Sequence, residues 1–216
     1  MRIVVINPNS NPAVTDGMSE ALRPFCIAGN PEIECITLKE GPFGIESQAD
    51  VDGVVMPLKH LVEKRGDADA FVIACYSDPG LAVCREASAK PVFGIQECGV
   101  LTALTQGDRF GVIAIAEASI KRHLRYLRQM GVTARLAGER AVNLSVHESA
   151  TSGQTFERLC AVGTELRDRD GADTIILGCA GMARHRTPLA RHLGIPVIDP
   201  VQAATSMAIG AVLLSG

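Results

Sequence analysis

The chain has 216 residues, 47% of them hydrophobic and 21% charged, with a formal net charge of −3. That supplies the core of one large domain or two small lobes, and with no long run of one sign it argues against nucleic-acid or anionic-membrane partners. No apolar run approaches the roughly 18 residues of a membrane span.

The four-residue apolar run near Met1 is shorter than a secretory signal. Seven cysteines, an odd number without regular spacing, read as reduced thiols, so a cytoplasmic location is expected. On that expectation the glycosylation triplet at Asn143 carries no meaning.

Ile3 to Ile6 is predicted to be a buried strand, because its apolar residues are consecutive rather than alternating. Asn11 followed by Pro12 marks a helix start, a capping side chain before proline at the first helical position. Ile33 to Leu38 is the next strand. Val51, Val54, Val55, Leu58, Leu61 and Val62 fall on one face of a helix. Strands follow at Phe71–Ala74, Pro91–Ile95 and Phe110–Ile115. A basic amphipathic helix comes next, whose Lys121, Arg122, Arg125 and Arg128 read as a solvated face. Ala137 to Ser152 is too irregular to assign. Thr174–Leu177 and Val197-Ile198 are strands, and Val201–Leu214 is a closing helix. Alternation of this kind predicts mostly parallel sheets with helices on both faces.

The pattern also repeats. Asp69-Ala70-Phe71-Val72-Ile73-Ala74-Cys75 leads to Pro91-Val92, and Asp173-Thr174-Ile175-Ile176-Leu177-Gly178-Cys179 leads to Pro196-Val197. The two cysteines are 104 positions apart, the two aspartates 104 and the two prolines 105. The expected architecture is α/β, with two pseudo-symmetric lobes and a cleft between them. Residues 1–100 with 201–216 form the lobe containing Cys75, and residues 101–200 the lobe containing Cys179.

Each cysteine is placed at the carboxyl end of a buried strand, where open α/β sheets bind ligands. Two facing lobes put the thiols on opposite walls of one cleft. Turn N–H groups and helix N-termini after each cysteine are expected to lower the thiol pKa. Inverting a carbon beside a carbonyl needs one group to remove a proton from one face and another to deliver one to the other. Two chemically equal thiols suit that reversible exchange. The competing reading is a two-lobed small-molecule binding protein in which the cysteines only pack. A redox pair is weaker, for want of a C-x-x-C or a resolving thiol. The five histidines lack metal spacing and read as surface or capping residues. No phosphate-binding glycine loop is present.

Several segments carry a family resemblance. They are Asn7-Pro8-Asn9-Ser10, Gly41-Pro42 with Ile45-Glu46, Ala74-Cys75 with Asp78-Pro79-Gly80-Leu81, Gly94-Ile95, and Gly178-Cys179-Ala180-Gly181-Met182-Ala183. In these the chain resembles the aspartate/glutamate/hydantoin racemase superfamily, in its hydantoin and allantoin racemase branch. The resemblance implies two Rossmann-like lobes, no metal, no pyridoxal phosphate or other cofactor, a homo-oligomer, and proton transfer by Cys75 and Cys179. Asn9, Ile45, Ser77, Asp78, Pro79, Gly181 and Met182 become the candidates for holding the substrate, a 5-substituted hydantoin or allantoin. An aspartate- or glutamate-type racemase and a related decarboxylase or isomerase are the alternatives. Amino-acid racemases of the superfamily tend to carry Asp-Ser where this chain has Asn7-Pro8-Asn9, and arylmalonate decarboxylases keep one such cysteine. The chain departs from the branch at Tyr76-Ser77, typically Phe-Gly, at Ala114, often threonine, and in a shortened 137–152 segment.

Overall fold

The computed structural model describes residues 1–151 and 153–215. Ser152, the last residue of the segment left unassigned above, lies outside them.

The first half runs β1 (Arg2–Asn7), α1 (Pro12–Leu22), β2 (Glu32–Thr37), α2 (Gln48–Gly53), α3 (Val55–Lys64), β3 (Ala70–Ile73), α4 (Leu81–Ala87), β4 (Val92–Gly94) and α5 (Ile95–Leu104). The second runs β5 (Phe110–Ala114), α6 (Glu117–Gln129), β6 (Leu136–Ala141), α7 (Val146–Thr151), α8 (Thr155–Asp168), β7 (Thr174–Gly178), α9 (Arg186–Leu193), β8 (Val197–Ile198) and α10 (Pro200–Leu214). Two four-stranded sheets result, ordered β2-β1-β3-β4 and β6-β5-β7-β8. Every pairing within them is parallel.

The consecutive apolar strands have their expected cause, since each sheet is covered on both faces. In β1, Ile3 and Val5 join the core cluster that reaches the second sheet. Val4 and Ile6 face the other way, onto Val54, Leu58 and Val62. Asn11 caps α1 by accepting the Ala13 N–H at 3.1 Å, with Pro12 as the first helical residue.

The landmarks of the repeat do the same work in each sheet. Asp69 accepts the backbone N–H of Arg2 at 2.8 Å, and Asp173 that of Arg109 at 2.9 Å. Each aspartate thus ties the start of its strand to the neighbouring one. Phe71 N–H donates to Pro91 at 3.0 Å and Ile175 N–H to Pro196 at 2.9 Å.

Two expectations are revised. The helix expected through Val51 and Val62 is two helices, broken at Val54: a Ser47–Asp50 capping box starts α2, and Pro57 has no N–H to offer the Gly53 carbonyl that ends it. The unassigned 137–152 segment contains β6 and α7. β6 is a half-buried edge strand whose Arg140 pairs with Asp170 and Glu165, so it carries no apolar signature. α7 begins with a second capping box, in which Ser145 Oγ accepts the Glu148 N–H and the Glu148 carboxylate accepts the Ser145 N–H.

α10 returns to the first sheet, packing on β1, β3, β4 and α5. Among the described residues no helix is long and apolar enough to cross a membrane.

Candidate active site

The carboxyl ends of β1, β3, β5 and β7 open onto one cleft. Asn9, Cys75, Ser77, Ile115 and Cys179 line it, with Ile45 from the loop before α2 and Val146 from the start of α7. Both thiols therefore reach a single cavity, one from each sheet.

The two cysteine turns are built alike. The Asp78 N–H closes the first onto the Cys75 carbonyl at 3.0 Å, and the Met182 N–H closes the second onto the Cys179 carbonyl at 3.1 Å. Ser77 N–H is directed at the Cys75 sulfur and Gly181 N–H at the Cys179 sulfur. Ser77 and Gly181 are themselves 104 positions apart. Gly181 has no room for a side chain, since a Cβ there would lie 2.7 Å from Ser149 Oγ.

Burial outweighs these donors. It pushes the Cys75 thiol up to about 12, against the lowering effect of the Ser77 N–H. It also raises Cys179, against the Gly181 N–H and the Ser149 hydroxyl, whose Oγ lies 3.6 Å from the sulfur. The expectation of lowered thiol pKa values is thus reversed in the empty cleft, because one or two hydrogen bonds do not replace the water that a thiolate loses. Nor does a helix N-terminus compensate near Cys75. α4 starts six residues later, with Gly80 at φ 66° before it.

The candidate substrate residues divide. Asn9, Ile45 and Ser77 line the cleft. The Asn9 side-chain oxygen accepts from Asn7 Nδ2 and from the Asn11 N–H, both at 3.0 Å, which turns its NH₂ group away from that network. Ser10 N–H donates to the Pro42 carbonyl at 2.8 Å. Gly41 lies so close to the Pro8 carbonyl that a Cβ would sit 2.2 Å from it. The Asn-Pro-Asn-Ser and Gly-Pro segments thus brace one another.

Asp78, Pro79, Gly181 and Met182 stand behind the wall. The Asp78 carboxylate accepts the N–H groups of Gln96 and Glu97 at 2.9 and 2.8 Å, capping α5. Burial pushes that carboxyl up to about 7 despite those two donors. Its backbone is left-handed at φ 42°. Pro79 is buried in the turn, Met182 is fully buried in the core, and Gly181 reaches the site through its N–H alone. Ala114, a departure from the branch, lies behind Ile115 and does not line the cleft.

α6 is the expected helix, but one of its cations does not lie on the solvated face. Lys121, Arg125 and Arg128 are exposed as expected. Arg122 instead lines the cleft, together with Ser119 and His123. Ser119, His123 and Leu127 are buried at helical spacing, so the inward stripe of α6 includes positions 119, 122, 123 and 127. Polar residues on that stripe hid it. His123 is not at the surface. Its Nδ1 lies 2.5 Å from Glu139, both side chains are 2% exposed, and its ring meets Tyr76 edge-on at 5.0 Å.

Comparison with known proteins agrees with this fold. The family described as Asp/Glu/Hydantoin racemase matches residues 3–208. A hydantoin racemase of Paenarthrobacter aurescens is 37% identical, the alignment covering 99% of this chain and 92% of that protein. Among solved structures, an allantoin racemase from Klebsiella pneumoniae superposes with a TM-score of 0.95 at 31% identity, covering 100% of this chain and 89% of the other. An allantoin racemase from Pseudomonas fluorescens gives 0.94 at 27% identity, covering 100% and 92%.

Proposed function

The chain belongs to the Asp/Glu/hydantoin racemase family and is an isomerase of the racemase type, and we propose that it inverts the carbon beside a carbonyl in a 5-substituted hydantoin or allantoin by proton exchange between Cys75 and Cys179. The observation that carries this reading is the pair of thiols at matched strand ends on one cleft, each with an N–H aimed at its sulfur.

In the forward direction one cysteine, as thiolate, takes the proton from the stereocentre. The C–H bond breaks, an S–H bond forms, and the electron pair moves into the adjacent carbonyl as an enolate. The opposite thiol then gives its proton to the other face of the carbon and is left as thiolate. No proton is gained or lost overall, and the enzyme ends in the mirror-image protonation state, ready for the reverse reaction. The pair titrates as a unit. The Asn9 NH₂ group and free N–H groups at the strand ends are the donors available to the enolate oxygen. Burial disfavours the charge on either sulfur, and the reactive state carries one negative charge, on one sulfur before the exchange and on the other after it. The displacement of water by substrate leaves the turn N–H groups as its chief stabilisers.

The division into residues 1–100 with 201–216 and residues 101–200 belongs to the same proposal. The two separate sheets and the return of α10 to the first support it. A homo-oligomer and a cytoplasmic location are further parts of it. The exposed Leu213 and Leu214 on α10 suit a contact between copies, and light scattering on the purified protein reads the assembly directly.

The deciding experiment follows deuterium by NMR in D₂O, beside circular dichroism, on single enantiomers of 5-substituted hydantoins and allantoin. Wild type, Cys75→Ser and Cys179→Ser are compared. Deuterium at the stereocentre with loss of optical activity, and no racemisation by either variant, supports the two-thiol mechanism. No exchange on these rings sinks the substrate assignment. Full racemisation by either serine variant sinks the mechanism.

A further inference from the structure

Arg122 lines the cleft and, beyond a minor lowering effect on the Cys75 thiol, takes no part in the proton exchange. Its Nη1 donates to the Ala118 carbonyl at 3.2 Å, which fixes the guanidinium against its own helix. Its Nε is shielded from solvent and meets no acceptor among the described residues. Nor does Arg122 form an ion pair within 4.0 Å among them. Asp50 is held below the usual carboxylate range mainly by hydrogen bonds from Ser47, with Arg122 only the last and smallest contributor. A shielded guanidinium N–H without an acceptor is costly, and one that lines a cleft can be satisfied by an anion or a water entering it.

A second residue that lines the cleft has the same deficit. The hydroxyl of Tyr76, a residue 3% exposed, is also buried without a partner among the described residues. Burial and the charges of Glu139 and Asp78 keep it un-ionised, so it is a donor. The rest of the cleft wall is largely apolar, with Val14, Ile45, Ala74, Ile115 and Val146. An anion entering such a space needs a fixed countercharge. Arg122 offers Nε and Nη2 side by side, the fork that takes a carboxylate with two parallel bonds.

We propose that Arg122, assisted by the Tyr76 hydroxyl, is a specificity-determining subsite for a carboxylate on the arm that leaves the substrate's stereocentre. The preferred substrate is then a hydantoin ring bearing a short carboxyalkyl arm, rather than one bearing a neutral ureido or alkyl arm. The inference rests on the reading above for the ring's place between the thiols. Arg122 comes from α6, a different element from either cysteine turn, so it addresses what projects from the ring rather than the reacting carbon.

The test compares 5-(2-carboxyethyl)hydantoin with its amide counterpart, 5-(2-carbamoylethyl)hydantoin. Calorimetric binding and deuterium exchange are measured side by side on wild type, R122Q, R122K and Y76F. Charge-assisted bonds are about twice as strong as neutral ones, so wild type is expected to favour the carboxylate ring by about tenfold in affinity. That ratio should fall towards one in R122Q, stand between in R122K, and drop by a smaller factor in Y76F. R122K keeps the charge and serves if R122Q fails to fold. A wild-type ratio near one, binding of neither ring, or equal losses on both rings in R122Q would each overturn the subsite, the last because it places Arg122 on the ring itself. Selective binding without exchange leaves the subsite standing and removes the hydantoin racemase reading. Exchange on both rings without selectivity does the reverse.

Discussion

The two cysteine turns share a frame and differ in what surrounds the sulfur. At Cys75 a single N–H, from Ser77, reaches the sulfur of a largely buried cysteine. At Cys179 the cysteine itself precedes a short 3-10 turn, residues 180–185, and two donors converge, the Gly181 N–H and the Ser149 hydroxyl. Internal repetition therefore supplies equal positions without equal electrostatics. The difference makes Cys179 the sulfur better prepared to carry the charge, and Cys75 the one better prepared to carry the proton.

The largest effects erase the comparison. Cys75→Ser and Cys179→Ser should each reduce racemisation by about a thousandfold or more, since two-residue relays fail as a unit. Deuterium exchange should survive on one enantiomer only, and on opposite enantiomers in the two variants. Survival on the same enantiomer in both would mean that the thiols do not face opposite sides of the carbon.

Next comes Gly181→Ala, whose Cβ would press on Ser149 Oγ and disturb both donors of Cys179 at once. Turnover should fall by about ten- to a hundredfold, less than the roughly hundred- to thousandfold for outright loss of a directed donor, because the N–H is displaced rather than removed. Gly178→Ala, one residue before Cys179, places a Cβ 2.6 Å from the Ile113 carbonyl inside the sheet. It should instead lower stability by about 1–3 kcal/mol, read by urea unfolding. A large turnover loss from Gly181→Ala without loss of stability would set the two glycines apart.

A pH titration sharpens the contrast further. Burial raises both thiols, so the thiolate fraction in the empty enzyme grows about tenfold per pH unit through neutrality. Ultraviolet thiolate absorbance, taken against the double serine variant, should rise above the ordinary cysteine range of about 8.5. It should rise at lower pH in Cys75→Ser, where Cys179 remains, than in Cys179→Ser. Titration of either thiol below 7 would contradict burial as the dominant influence. The smallest effect is that of Ser149→Ala. Losing one hydroxyl should move Cys179 slightly further up, since the Ser149 hydrogen bond lowers it, and leave Cys75 in place.

Much of this contrast is visible without coordinates, and part of it is not. The strands were legible because both faces of each parallel sheet are covered, leaving runs such as Ile3–Ile6 and Ile175–Leu177 wholly apolar. The repeat was legible because Asp69 and Asp173, and Pro91 and Pro196, do the same backbone work and so keep the same spacing. Ser149 and Arg122 were not. Ser149 lies in a segment whose strand is an ion-paired edge, although the Ser145-x-x-Glu148 capping box was there to mark the start of its helix. Arg122 was hidden among the solvated cations of α6, one step of about 100° from an exposed lysine. Nearness to the cysteines in sequence makes Asp78 and Met182 candidates for holding the substrate. In three dimensions they close the turns, because a residue three positions on hydrogen-bonds back rather than forward.

α10 bears on how the molecule is made. The first sheet is encoded within residues 2–94, yet one of its faces is covered by residues 200–214, which follow the whole of the second sheet. During synthesis the Cys75 half must wait, with part of its apolar surface bare, until the Cys179 half has left the ribosome. Maturation thus couples the two halves in time: neither thiol meets a finished cleft before the other.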